Sequence, residues 1–168
     1  MLLMNHINLF VELEELPENK KYLFVNIMSD RALRILKNNN FLEKNSLLKF
    51  FENIVDLSWN NLIDNKLTIN WDGQLDKLST LIDDYENEEL PYKFSIYELS
   101  DLIISSWSIK IIDKDFFYKL SNIFLRDMTE KKQVFELEVQ DEIFKMICGI
   151  KNNFNVAVKE IRMELKDL

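Results

Sequence analysis

The stretch VDLSWNNLIDNKLTINWDGQLDKLSTLI, residues Val55–Ile82, decides the fold of this chain. Its apolar residues recur every three or four positions on both sides of a short polar segment around Thr68–Asn70. That spacing is typical of amphipathic helices that meet at a turn. We therefore expect the end of one helix, a tight loop and a second helix, and the stretch includes two of the three tryptophans.

The composition of the whole chain favours the same class of structure. The chain has 168 residues, of which 47% are hydrophobic, and it contains 12 phenylalanines. It has only 2 glycines and 2 prolines, too few for the frequent turns of a sheet protein. We predict an all-α fold, a single compact bundle of seven or eight helices, with residues 1–168 forming one domain.

The helical rhythm of apolar residues also locates the other elements. We place them at about Leu9–Leu16, just after Pro17 to Lys37, Ser46–Asp64, Trp71–Asp84, a helix capped by Ser95, one from Asp113 or Asp115 to Phe124, one from Thr129 to Gly149, and Asn155–Lys166. Ser95 and Glu98 have capping-box spacing at the start of the fifth helix. That helix is the most continuously apolar, so we expect it at the centre of the bundle.

The charge of the chain restricts the classes of partner. Its formal net charge is −8, from 29 acidic and 21 basic residues. A surface of this sign repels phosphate groups, so nucleic acid and anionic membrane are not expected partners. Opposite charge steers the encounter of two proteins, so a basic protein is the better match.

Residue types that carry catalysis or bind metal are scarce. Cys148 and His6 are the only cysteine and the only histidine, so no internal disulfide is possible and a zinc site lacks its usual ligands. No phosphate-binding loop, dinucleotide fingerprint or nucleophile elbow occurs. We expect no enzyme activity, no metal and no cofactor.

The beginning of the chain does not look like a targeting segment. The sequence MLLMNHINLFVELEEL lacks a basic region, and Glu12, Glu14 and Glu15 interrupt its apolar residues. No run of about 18 apolar residues occurs, the length expected of a membrane span. We expect a cytoplasmic protein.

An acidic segment with aromatic residues is the best candidate for a partner-binding surface. Five acids fall within seven residues and are accompanied by two tyrosines; the candidate residues are Asp83, Asp84, Tyr85, Glu86, Glu88, Glu89 and Tyr92. We expect an exposed linker in which aromatic anchors lie inside a charged rim, as in interface hot spots. The alternative is a solvated face without function. Two weaker acidic clusters lie at residues 12–18 and 136–142.

A second set of polar residues permits another interpretation. Asp56 and Asp72 flank the central loop, and Tyr97 and Asp101 are one helical turn apart. They could form a polar site between helices with Trp59 and Trp71 as its walls. The alternative is that these side chains are helix caps and buried hydrogen-bonding groups.

Four segments resemble the YjaG-like bacterial proteins, in the same order along the chain. They are VDLSWNNL (Val55–Leu62), INWDGQLDKL (Ile69–Leu78), IYELSD (Ile96–Asp101) and DEIFKMI (Asp141–Ile147). The matching polar and aromatic positions include Asp56, Trp59, Asn70, Asp72, Gln74, Tyr97 and Asp101. The chain departs from the family pattern at Asn60, in place of an acid, and at Trp71, in place of Phe. The resemblance implies an all-helical cytoplasmic bacterial protein and carries no activity with it.

These observations lead to one main hypothesis and two alternatives. We expect a protein-binding immunity protein that neutralises a basic toxin domain, such as a nuclease used in interbacterial competition, by covering its substrate-binding surface. The alternatives are a small-molecule binder or hydrolase that uses Asp56, Asp72, Tyr97 and Asp101, and a regulatory or structural homo-oligomer. The sequence leaves the oligomeric state open.

Overall fold

The computed structural model describes residues 6–38, 45–84 and 92–167. Within these ranges it contains eight α-helices and no strand, which confirms the all-α prediction. The helices are α1 Ile7–Glu14, α2 Glu18–Lys37, α3 Ser46–Ile63, α4 Trp71–Asp84, α5 Lys93–Ile109, α6 Lys114–Leu125, α7 Glu130–Cys148 and α8 Phe154–Asp167. None of the helices in the described ranges is both long and apolar enough to cross a membrane.

The chain divides into two compact units. One unit comprises Met1–Val25 and Ile112–Leu168, and the other comprises Asn26–Ile111. The expectation of one domain over residues 1–168 stays a prediction. The first unit is called the terminal unit below, and the second is called the central unit.

Helix α5 is the middle element of the central unit, as its apolar sequence predicts. It packs against both α3 and α4. Its inward positions include Ile96, Leu99, Ile103 and Ile104, all of which are buried. Helix α3 is buried through Leu47, Phe51 and other residues of one stripe. Phe50 and Leu57 of the same helix are half-buried.

The start of α5 corrects the capping-box prediction at Ser95 and Glu98. The helix begins at Lys93, and Tyr92 is its N-cap. The Ile96 N–H donates to the Tyr92 carbonyl oxygen at 2.9 Å, so the first turn closes before Ser95 could act as a cap. Ser95 is therefore a residue within the helix. The first turn also contains Lys93, which is buried.

Other helix ends follow the local signals more closely. Asp113 accepts a hydrogen bond from the Phe116 N–H at 2.9 Å, which decides between Asp113 and Asp115 as the cap of α6. Thr129 occupies the N-cap position of α7 without a side-chain capping hydrogen bond. Gly149 ends α7 at φ −70°, a conformation open to any residue.

The terminal unit buries aromatic rings and a polar chain. The rings of Phe24 and Phe117 meet edge to face, with centroids 5.6 Å apart. Between α6 and α7, the Ser121 hydroxyl donates to Gln140 at 2.8 Å, and the Gln140 amide donates to Glu136 at 3.1 Å. Glu136 is only 5% exposed, so it is not part of the acidic surface predicted at residues 136–142.

Asn70 is the N-cap of α4, and its side chain lies close to Gly73. The Gly73 N–H donates to Asn70 Oδ1 at 2.9 Å, an N-cap bond that satisfies one of the free donors of the first turn. A Cβ atom at Gly73 would lie only 2.6 Å from Asn70 Nδ2. A side chain at position 73 would therefore require the Asn70 side chain to shift from its capping position.

We expect strong coupling between Asn70 and Gly73. Alanine is favoured over glycine inside a helix by about 1 kcal/mol, so Gly73→Ala should stabilise an Asn70→Ala variant. With Asn70 in place, the same change displaces the cap, and the gain should shrink by about 1 kcal/mol. Urea unfolding of the two single variants and the double variant measures this difference. Additive free energies of unfolding would contradict the capping role.

A second prediction concerns the alkaline stability of the terminal unit. Burial of Tyr22, which is 2% exposed, raises the pKa of its hydroxyl above the ordinary value, and Glu18 adds to the shift. The folded state therefore favours the neutral phenol. The buried neutral phenol of Tyr22 contributes fully to the stability of the folded state below the unfolded-state pKa of about 10. This contribution is lost as the pH rises toward the folded-state pKa.

We expect Tyr22→Phe to reduce the loss of stability above about pH 10, where the phenol begins to ionise in the unfolded chain. Denaturant unfolding of the variant and the parent across this range measures the slope. Tyr118→Phe removes a phenol that is exposed in the same unit and serves as the control. An unchanged slope in Tyr22→Phe would contradict the prediction.

Candidate functional site

A chain of buried hydrogen bonds crosses the central unit. The Trp107 indole N–H donates to the Ser58 hydroxyl at 2.7 Å. The Ser58 hydroxyl in turn donates to Asn26 Oδ1. Asn26 and Ser58 are both buried, so each bond compensates for the loss of water that burial requires. The chain ties α2, α3 and α5 together.

The tryptophans make different contacts from those of the predicted polar site. Trp71 stacks on Trp107, with centroids 5.9 Å apart and planes 7° from parallel. Trp59 is 1% exposed and its indole N–H donates to Asp30. The ring that faces Trp71 is thus Trp107, which the sequence interpretation did not include among the site residues.

Asp72 links the start of α4 to the end of α5. The Ser108 hydroxyl donates to Asp72 Oδ1, and both side chains are exposed. Asp72 lies in the first turn of α4, where a carboxylate interacts favourably with the helix dipole. This contact and the Asn70 cap agree with the alternative in which the family-matched polar positions organise helix ends.

The remaining family-matched positions have varied surroundings. Asp56 is exposed on α3, and Tyr97 and Asp101 are half-buried on α5. The Oε1 atom of Gln74 is buried and has no hydrogen-bond partner among the residues that the structure describes. Within the described ranges, no group of three or more His, Cys, Asp or Glu side chains is arranged to hold a metal ion.

The predicted partner-binding surface is only partly within the described ranges. Asp83 and Asp84 are exposed and form the last two residues of α4, so they belong to the helix and not to a linker. Tyr92 is 50% exposed and has a left-handed backbone, with φ 62°. Tyr85, Glu86, Glu88 and Glu89 lie outside the described residues.

The buried hydrogen-bond chain and the exposed acidic residues differ in what they can contact. The Trp107–Ser58–Asn26 chain is withdrawn from solvent and serves to position helices. The carboxylates of Asp83 and Asp84 and the ring of Tyr92 are open to solvent and can contact a macromolecule. The sequence predicted exposure at Asp83, Asp84 and Tyr92, where binding stays a prediction, and it did not indicate the roles of Asn26, Ser58 and Trp107. The members of the buried chain are separated by 32 and 49 residues, so no local pattern connects them.

We expect the buried chain to contribute strongly to stability. Ser58→Ala leaves the Trp107 donor and the Asn26 acceptor without this hydroxyl, and loss of a buried hydrogen bond of this kind costs about 1–3 kcal/mol. Chemical denaturation should show a lower free energy of unfolding. Ser79→Ala, at an exposed position on α4, is the control and should change stability much less.

A double-mutant cycle separates the hydrogen bond from the packing of Ser58. In a Trp107→Phe background the indole donor is absent, so Ser58→Ala should cost less than it does in the parent chain. Equal costs in the two backgrounds would show that the Trp107 bond does not contribute.

A family model matches more than half of the chain. Its description is "Protein of unknown function (DUF416)", and it matches residues 8–110. No curated protein and no solved structure matches the chain significantly. The matched range contains the segments Val55–Leu62, Ile69–Leu78 and Ile96–Asp101, whereas Asp141–Ile147 lies beyond it.

Proposed function

We propose that this chain, which belongs to the DUF416 family, acts by binding another protein at the C-terminal end of α4 and at Tyr92. The family description assigns no activity, so the proposal is supported by the residues of the chain itself. The observation that carries it is a pair of exposed carboxylates, Asp83 and Asp84, placed where they oppose the stability of their own helix.

The position of Asp83 and Asp84 is electrostatically unfavourable in the isolated chain. The free carbonyl groups at the end of a helix carry a partial negative charge, which repels nearby carboxylates. The last turn of α4 contains no basic residue to offset this repulsion. A cationic partner would supply the missing positive charge, so binding would relieve a cost that the free protein bears.

Tyr92, the N-cap residue of α5, is the aromatic part of the proposed surface. A bulky residue with positive φ is strained by roughly 1–2 kcal/mol, since its Cβ approaches the following carbonyl oxygen. Tyr92 adopts this conformation with half of its surface exposed. Exposed aromatic side chains beside charged groups are typical of interface hot spots.

At a finer level, we propose an immunity protein of YjaG-like type that acts in the cytoplasm. Its partner would be a basic toxin domain, such as a nuclease, whose Lys and Arg side chains pair with the carboxylates. The net charge of −8 supports this choice because it favours fast encounter with a cationic protein. Neutralisation would result from covering the surface that the toxin uses for nucleic acid.

The alternative of a small-molecule site is supported less well. Its proposed wall Trp59 is almost fully buried and its indole N–H is bonded to Asp30. Asp72 is bonded to Ser108, and this contact joins α4 and α5. These contacts assign structural roles to two of the residues that the small-molecule hypothesis requires for binding.

The proposal predicts opposite effects of one double change on stability and on binding. Asp83→Asn with Asp84→Asn removes the repulsion at the end of α4, so the melting temperature should rise. The same change should weaken binding to a basic nuclease toxin domain, and the weakening should diminish at high salt. Calorimetry of unfolding and of binding measures the two effects.

Asp76→Asn is the matched control, because Asp76 is an exposed carboxylate in the middle of the same helix. It should leave affinity nearly unchanged. Cells that express this toxin domain should survive with the parent protein and grow poorly with the double variant. If the parent protein neither binds that domain nor protects the cells, the proposal is wrong.

A further inference from the structure

We draw no further inference here: the strongest candidate, the side-chain amide of Asn26 buried in the central unit, belongs to the hydrogen-bond chain already described, and nothing in the described ranges shows a ligand group that its Nδ2 atom would bind.

Discussion

The hydrogen bond from Trp107 to Ser58 is the contact on which the central unit depends. It joins α5 to α3 in a place from which water is excluded, and Ser58 passes the interaction on to Asn26. The ring of Trp107 also stacks on Trp71 at the start of α4. The side chain of Trp107 thus holds α5 against α3 through Ser58 and against α4 through Trp71. Because the bond is directional, it selects one register of the helices, which apolar packing alone does less well.

The surface of the chain contains groups that do not serve its own stability. Asp83 and Asp84 repel the carbonyl end of α4, and Tyr92 has a strained backbone. Such features persist where surrounding structure supports them, and they concentrate at functional positions. The proposed protein-binding function gives them a common physical purpose, since a cationic partner would neutralise the carboxylates and cover the tyrosine.

Helix α7 presents a related conflict between polarity and position. Its Gln133, Glu136 and Gln140 side chains form hydrogen bonds on the inward side, while Phe135 faces solvent. Buried polar networks are stable only when their members are satisfied, so these bonds determine which face of the helix is exposed.

The sequence by itself determined the helices, because their signals act over three or four residues. Pro17 before α2, Asp113 before α6 and Asn70 before α4 are local features, and the structure places helix starts at each of them. The local signal at Ser95 was wrong, since α5 begins at Lys93 and its first turn already joins the Ile96 N–H to the Tyr92 carbonyl oxygen.

Only the tertiary structure decided which polar side chains are structural. Trp107 meets Ser58 across 49 residues, and Ser121 meets Gln140 across 19. Periodicity describes one helix at a time and does not specify which faces of distant helices meet. For the same reason, Glu136 looked like part of an acidic surface, although its partners hold it inside. Pairing between helices requires the three-dimensional packing, in which the hydrogen-bonding needs of buried groups are satisfied together.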